Sequence, residues 1–185
     1  MASTAKNLTK TIIPVVLVLA AINLLFLYSS PQELVELIGV ENSYLVIFLI
    51  AAFGGLSSFT SGVLYGSLAT FAAGGSIPWL LGISAGVGIA IGDSLLYFLF
   101  RYGLTGLGPK WQERIERYRT RVDQIRRRWQ ALGLYGLLGF TPIPNDLVMF
   151  ALAVLGFRYR FIAPILLVSG ITIATLTAYL GHWWL

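Results

Sequence analysis

The stretch that decides the fold runs from Asn42 to Gly92 and reads NSYLVIFLIAAFGGLSSFTSGVLYGSLATFAAGGSIPWLLGISAGVGIAIG. It contains no Asp, Glu, Lys or Arg. Runs of about 18 or more apolar residues are typical of membrane spans. A soluble fold of this size could not bury so much apolar sequence. The stretch therefore predicts helices that lie inside a lipid bilayer.

The rest of the chain has the same character. Charged residues are 11% of the sequence, against about 25% in a typical soluble protein, and hydrophobic residues are 57%. Mean hydropathy is +0.78. Three further runs carry no formal charge: 11–32, 129–145 and 161–185. We predict an all-α polytopic membrane protein, with residues 1–185 forming a single membrane domain.

The first apolar segment follows Lys6 and Lys10 and extends from Thr11 to Tyr28. It is longer than the core of a cleaved signal peptide, which has about 7–15 residues. We therefore favour an uncleaved N-terminal span over residues 1–30, with a signal peptide as the alternative. The two lysines predict a cytoplasmic N-terminus in a multi-pass protein of the cell membrane.

A basic segment lies between the apolar regions. The net charge is +5, and eight of the thirteen Lys and Arg residues fall between Lys110 and Arg128. Such a segment is typical of a cytoplasmic loop on anionic lipid, and nucleic acid is not an expected partner. Apolar residues recur in it at spacings of three and four, which predicts a basic amphipathic helix over 109–130. These residues are Trp111, Ile115, Tyr118, Val122, Ile125 and Trp129.

The predicted helix has two interpretations. It could bind anionic lipid headgroups at the interface, or pack on the cytoplasmic face of the protein itself. In the first interpretation, its arginines form a lipid headgroup surface. The residues assigned to that surface are Arg121, Arg126, Arg127 and Arg128.

The first half of the membrane region predicts a helical hairpin followed by a span, over 44–100. A cytoplasmic basic segment requires the span 77–100 to begin outside. The stretch 44–76 then begins and ends outside, yet it is shorter than the roughly 40 residues that two spans need. We predict a re-entrant hairpin. Its centre, GGLSSFTSG at 54–62, has the small and hydroxylated residues that a broken turn needs.

The second half, over 131–182, predicts the same arrangement from the opposite face. Arg158 and Arg160 are expected inside, as is the preceding basic segment. The sequence TPIPND at 141–146 has two prolines that end a helix. A span over 161–180 follows. The alternative is ordinary spans with a proline kink, but it violates the charge rule twice. Inverted repeats with broken helices are typical of secondary transporters, which bind substrate where the breaks meet.

Asp93 is the first candidate functional residue. It precedes Arg101 by eight positions and so lies about 12 Å deeper along a helix, near the middle of the bilayer. A carboxylate at that depth is costly and indicates proton binding, cation coordination or a polar path. The alternative is a structural hydrogen bond to the first hairpin, at Thr60 or Ser61.

Asp146 is the second candidate, directly after the proline-containing break. Asn145 or Asp146 could cap the following helix. In the other interpretation, the helix start faces a cavity, where its N–H groups favour anions and the carboxylate favours protons or cations. The predicted substrate path comprises Asp93, Arg101, Asp146, Asn145, Pro142, Pro144, Ser58 and Thr60.

Other features indicate structure and not chemistry. Gly82, Gly86, Gly88 and Gly92 are predicted to allow close helix packing. The chain has no cysteine and a single histidine, His182. Motifs of metalloproteases, serine hydrolases and P-loop proteins are absent. We therefore expect no enzyme activity, no metal and no cofactor.

Two regions resemble a known family. The sequence GIAIGDSLLYFLFRYG at 88–103 resembles the G-x-x-x-G-(D/N)-x-x-x-Y-x-x-G-R-x-x-G element of the DedA family, also called the VTT-domain or SNARE-associated family. The sequence LGFTPIPND, followed by Ala151 and Gly156, resembles that family's R-F-hydrophobic-P-x-x-R…aGxxxM…F element through Phe140, Pro142 and Phe157. The resemblance covers about residues 40–182 and implies two opposed re-entrant hairpins.

The chain also departs from the family pattern. The first hairpin of the family usually carries P-x-P-x-E, where this chain has SSFTSGVLYG. Gly139 and Asn145 stand where the second element has arginines. These charged residues are linked to ion-coupled activity, so the resemblance supports the fold more than proton coupling.

The resemblance implies movement of lipids across bilayers, either phospholipid scrambling or return of polyprenyl-phosphate carriers. We expect a protein that moves lipid or lipid-linked phosphate between leaflets, with anionic or phosphate-bearing lipids as partners and homo-oligomers an open option. One alternative is a proton-coupled transporter of small cations or drugs. Another is a membrane scaffold that transports nothing.

Overall fold

A computed structural model of the chain describes residues 42–54, 58–103, 115–118, 120, 122, 124–141 and 145–184. The predicted N-terminal span lies outside these residues. The elements described are all helical. They are α1 (Ser43–Leu49), a π-helical turn (Ile50–Gly54), α2 (Ser58–Ala73), α3 (Pro78–Gly103), α4 (Arg127–Phe140), α5 (Asn145–Val154) and α6 (Tyr159–Trp184).

Two helices, α3 and α6, are long and apolar enough to cross a membrane. Each has 26 residues, or about 39 Å, against a hydrocarbon core of about 30 Å. Pro78 begins α3, because a residue in the first helical turn needs no N–H for an intrahelical bond. The predictions of long helices over 77–100 and 161–180 are confirmed. The chain is therefore consistent with an α-helical membrane protein.

Small residues let α3 and α6 cross in close contact. A Cβ atom added at Gly86 would lie 2.5 Å from the Cα atom of Ile171, and one at Gly82 would lie 2.7 Å from the Cα atom of Thr175. Positions increase along α3 as they decrease along α6, so the helices are antiparallel. The Tyr97 hydroxyl continues this alignment by donating to the Phe157 carbonyl at 2.5 Å.

The opposite side of α3 packs against the first hairpin. A Cβ atom at Gly88 would lie 2.5 Å from the Phe48 carbonyl oxygen, and one at Gly92 would lie 2.9 Å from that of Ala52. Both are closer than a side chain allows. The prediction that the four glycines serve close packing is thus confirmed, with two facing α6 and two facing the segment 48–52.

The short helices pack on the long pair in a regular way. Helix α1 and the π-helical turn pack on α3, and α2 packs on α6. In the second half, α4 packs on α6 and α5 packs on α3. In each half, therefore, the segment before the break contacts the long helix of its own half, and the helix after the break contacts the other long helix.

The segment 43–76 is a helical hairpin whose ends meet. The Ser43 and Ser76 hydroxyls are 2.9 Å apart, and both residues are buried. The Ile77 amide donates to the Tyr44 hydroxyl at 3.0 Å. The chain thus returns to the level at which α1 begins before α3 starts.

Three helix boundaries in the two halves are related by one constant shift in sequence position. The shift that takes Pro78, the start of α3, to Tyr159, the start of α6, also takes the end of α3 to the end of α6. The same shift takes Ala73, the end of α2, to Val154, the end of α5. We call it the repeat shift.

The ends of α2 and α5 use the same turn. Gly75 (φ 96°) and Gly156 (φ 71°) adopt the left-handed conformation that glycine tolerates. The amide after Gly75 donates to the Phe71 carbonyl at 3.0 Å, and the amide after Gly156 donates to the Leu152 carbonyl at 3.2 Å. This is a Schellman motif in each half.

The basic segment differs from its prediction. A single helix was expected over 109–130, but Arg126 has an extended backbone (φ −58°, ψ 135°) and α4 begins at Arg127. The helical residues between 115 and 122 thus end before a turn at 124–126. The Gln130 side-chain amide stabilises the interruption by donating to the carbonyls of Val122 (2.7 Å) and Ile125 (3.1 Å). Arg127 to Trp129 belong to the following helix.

Candidate functional site

Asp93 lies in the middle of α3 and is only 3% exposed. Its partner comes from the start of α5. The Asn145 side-chain amide donates to the two carboxylate oxygens, at 3.2 Å to Oδ2 and 3.5 Å to Oδ1. A buried carboxylate is costly without such a donor. The contact joins α3 to the proline-containing break in the other half of the chain.

The π-helical turn of the first hairpin packs on the same part of α3. Gly92 precedes Asp93 and packs directly on the Ala52 carbonyl oxygen, within the π-helical turn. A larger residue at position 92 would push this turn away from α3. Single π-helical turns inside α-helices occur often at functional sites. Segments next to both breaks therefore converge on Gly92 and Asp93.

Two further polar residues surround Asp93. Asp146, in the first turn of α5, interacts electrostatically with Asp93, and so does Tyr65 of α2. The partial positive charge at the start of α5 also stabilises the Asp146 carboxylate. Thus α2, α3, α5 and the π-helical turn all contribute to the surroundings of one carboxylate.

Sequence reasoning missed a hydroxyl group next to this site. Ser94 follows Asp93, and its hydroxyl accepts a hydrogen bond from the Tyr159 hydroxyl at 2.9 Å. The Ser94 hydroxyl donates in turn to the Ala90 carbonyl at 2.5 Å. Tyr159 is far from Ser94 in the sequence and gives no local signal of this contact. These bonds connect the start of α6 to the depth of Asp93.

The remaining predicted path residues divide into two groups. Arg101 is exposed in the last turn of α3, away from the Asp93 cluster. Ser58 and Thr60 lie in the first turn of α2, but their side chains lie outside the description, as do Pro142 and Pro144. The structure thus brings together Asp93, Asn145 and Asp146.

The structure describes part of the predicted headgroup surface. Arg126, Arg127 and Arg128 are exposed at the start of α4, and Arg121 lies outside the described residues. The aromatic side chains beside them are exposed as well, with Tyr118 at 61% and Trp129 at 60%. Of the described apolar residues in the predicted helix, Tyr118, Ile125 and Trp129 are exposed, whereas Ile115 and Val122 are half-buried.

A cleft of about 680 Å³ opens at this end of the molecule. It lies between the segment 122–130 and the turn from α5 to α6. Three arginines and several apolar side chains line it. The lining comprises Val122, Ile125, Arg127, Gln130, Leu155, Gly156, Phe157, Arg158, Arg160 and Phe161. Sequence reasoning placed Arg158 and Arg160 on the cytoplasmic side but did not join them to Arg127.

The chemistry available at Asp93 is hydrogen bonding and charge. Among the described residues, no group of three or more His, Cys, Asp or Glu side chains could hold a metal ion. Asp93 can accept hydrogen bonds, or bind a proton or cation. The Asn145 amide offers a neutral donor beside it, so the pair suits a polar group that passes or binds.

Comparison of the chain with protein-family models, with curated proteins and with solved structures finds no match.

Proposed function

We propose that the chain is a DedA-like membrane protein that moves a lipid or lipid-linked phosphate between bilayer leaflets. Its fold would be an N-terminal span and two inverted repeats, each a re-entrant helical hairpin followed by a transmembrane helix. The observation that carries the proposal is the Asn145–Asp93 contact, which joins a broken hairpin to the middle of a long apolar helix.

The repeat shift supports the proposal that the chain contains two repeats. Helices α3 and α6 correspond end to end, and both are preceded by a Schellman turn at a glycine. The packing is also equivalent, since each half exchanges one short helix with the other half. Because α3 and α6 are antiparallel, a rotation that superimposes the halves reverses their direction across the bilayer, as in an inverted repeat.

Helix lengths support re-entry. Helix α2 has 16 residues and α5 has 10, or about 24 Å and 15 Å. Both are shorter than the hydrocarbon core of about 30 Å. The bond between Ser43 and Ser76 returns the first hairpin to its starting level. Irregular backbone at membrane depth requires burial in protein or contact with water, and α3 supplies the burial at Gly92.

The mechanism follows from where polar groups lie. A headgroup crossing the bilayer needs hydrogen-bonding partners at the depth where lipid tails offer none. Asp93, Asn145 and Asp146 would provide these partners while the acyl tails remain in the surrounding lipid. Arg101, about 12 Å from Asp93 along α3, would attract anionic headgroups to the cytoplasmic mouth. No covalent step is required.

One rival has a specific observation in its favour. Asp93 is buried and near a second carboxylate, Asp146, which suits a titrating group in a proton-coupled transporter of a small cation or drug. That transporter would drive proton flux coupled to its substrate, whereas passive lipid exchange would not. A scaffold would tolerate replacement of both carboxylates.

Reconstituted vesicles test the proposal. The full chain is placed in liposomes with fluorescent phosphatidylcholine, phosphatidylglycerol or a polyprenyl phosphate in both leaflets, and the outer leaflet is bleached chemically. Protein-free vesicles should lose about half of the signal, and proteoliposomes should lose more for at least one lipid. If protein-free vesicles and proteoliposomes lost the same fraction of fluorescence, and substrate drove proton uptake, the chain would be a proton-coupled transporter and not a lipid transporter.

A further inference from the structure

The cleft between α4 and α6 is a second polar feature of the molecule, separate from Asp93. Arg127 comes from the start of α4, and Arg158 and Arg160 flank the first residue of α6. All three are exposed, and the described lining contains no Asp or Glu. Two helices also begin here, and helix starts carry partial positive charge. The cleft therefore favours an anion.

The apolar part of the lining restricts which anion fits. The rings of Phe157 and Phe161 stack with centroids 6.0 Å apart and planes at 14°, and Val122 and Ile125 also line the cleft. A small hydrated ion would gain nothing from these surfaces. A molecule with an anionic head and an apolar tail would contact both the arginines and the rings.

Both walls of the cleft are held in place. On one wall, the Phe157 carbonyl accepts a bond from Tyr97, and the Tyr159 hydroxyl donates to Ser94. These bonds fix the residues next to Arg158. On the other wall, the Gln130 amide bonds the carbonyls of Val122 and Ile125. A preformed site loses little entropy on binding.

Size and position identify the occupant. A volume of about 680 Å³ lies within the range of about 300–1,000 Å³ for small-molecule sites, which accommodates a headgroup and the first carbons of its chains. The cleft lies at the end of α3 that carries Arg101 and beside the exposed Trp129. Exposed aromatic residues near arginines are typical of the membrane interface.

We infer that this cleft binds the phosphate-bearing headgroup of a lipid from the cytoplasmic leaflet. The inference rests on the proposed function for its orientation in the membrane. It adds a binding step on the cytoplasmic side, in which Arg127, Arg158 and Arg160 hold the phosphate. The Tyr159–Ser94 bond ties the cleft wall to the residue next to Asp93, so the headgroup would wait above the polar path.

Binding of a monomeric short-chain lipid tests the inference. The full chain in neutral nanodiscs is titrated with dioctanoyl phosphatidate, and calorimetry follows binding. Binding should saturate at one lipid per chain. Arg158→Gln, Arg160→Gln and Arg127→Gln should each weaken it about tenfold, the consequence of losing one charge-assisted hydrogen bond.

Matched variants separate the cleft from general charge attraction. Arg117→Gln removes the same charge from an exposed position of the same basic segment that does not line the cleft, and should change affinity by less than about twofold. Arg160→Lys should lie between wild type and Arg160→Gln, since it keeps the charge but loses the forked geometry. Equal losses in Arg127→Gln and Arg117→Gln would overturn the inference.

Two further probes test the ligand class. Dioctanoylglycerol, which lacks phosphate, should bind weakly, and inorganic phosphate should compete poorly, because it lacks the tails. Equal binding of dioctanoylglycerol, or full competition by phosphate at the lipid's concentration, would contradict a lipid headgroup site. Saturable binding without leaflet exchange would overturn the proposed function but would still support a lipid headgroup site in the cleft. Leaflet exchange without such binding would overturn the cleft alone.

Discussion

The two halves of the molecule have long helices of equal length, each preceded by the same glycine turn, but they differ in what they bury. Under the repeat shift, Asp93 corresponds to Ala174 and Asn145 corresponds to Leu64. Ala174 is fully buried and Leu64 nearly so, both within one apolar cluster. Where α5 meets α3, a carboxylate meets an amide, whereas the corresponding positions of α2 and α6 are apolar. In the proposed repeats, the polar pair thus has an apolar counterpart.

The two halves also differ in whether a buried group needs a hydrogen-bond donor. The apolar half needs no compensation, because alkyl groups at membrane depth have no hydrogen bonds to lose. The polar half requires a donor for Asp93, and keeping such a pair inside a membrane protein costs stability. In the proposed function, the role of the pair in the headgroup path accounts for this cost.

The largest expected effect is in cysteine labelling, which reports the side of the membrane on which each residue lies. The chain has no native cysteine, so single cysteines can be labelled selectively. In the proposed repeats, cysteines replacing Asn42, Ala73 and Trp183 should react with an impermeant maleimide from outside. Cysteines at Tyr102 and Gln124 should react only from the cytoplasmic side. Reaction of positions 42 and 73 from opposite sides would exclude the first re-entrant hairpin.

The next effect comes from making the apolar half polar. Ala174→Asp places a carboxylate in the buried position that corresponds to Asp93, without a donor. It should lower the free energy of unfolding by about 3–5 kcal/mol, measured as thermal unfolding in detergent. Adding Leu64→Asn, which copies Asn145, should restore part of this loss. If Ala174→Asp were as stable as Ala174→Ser, the burial argument would be wrong.

A smaller effect tests the contact between the halves. Gly86→Ala places a methyl group against the backbone at Ile171, and such overpacking should cost about 1–3 kcal/mol. Gly66→Ala is the matched control, since nothing lies within 4 Å of its added Cβ. The control should be neutral or slightly stabilising because alanine favours helix. Equal melting of the two variants would contradict close packing of α3 on α6.

The sequence predicted those features that depend on composition and short spacing. Uncharged runs located α3 and α6 to within a few residues, because a membrane span requires about 20 apolar residues. The glycines of α3 predicted close packing for the same local reason. A carboxylate inside an apolar run marked Asp93 as buried.

Features that depend on long-range packing were not predictable. Thr60 or Ser61 of the first hairpin was the expected partner of Asp93, and the donor Asn145 was not predicted, because α5 packs on α3 across the two halves. The regular spacing over 109–130 predicted one helix, yet the Gln130 amide stabilises a turn within it. The cleft joins residues from two such turns, so no single motif encodes it.

In the proposed function, Asp93 and Asn145 serve lipid movement, and leaflet exchange in liposomes is the direct test. Asp93→Leu should slow exchange about tenfold, since a lost hydrogen bond to a polar headgroup costs about 1.5 kcal/mol, while its detergent melting matches wild type. Asp93→Asn should be milder, and Ala174→Ser, at the corresponding apolar position, should exchange normally. Equal losses in the Asn and Leu variants would favour proton coupling. Normal exchange in Asp93→Leu would contradict the account.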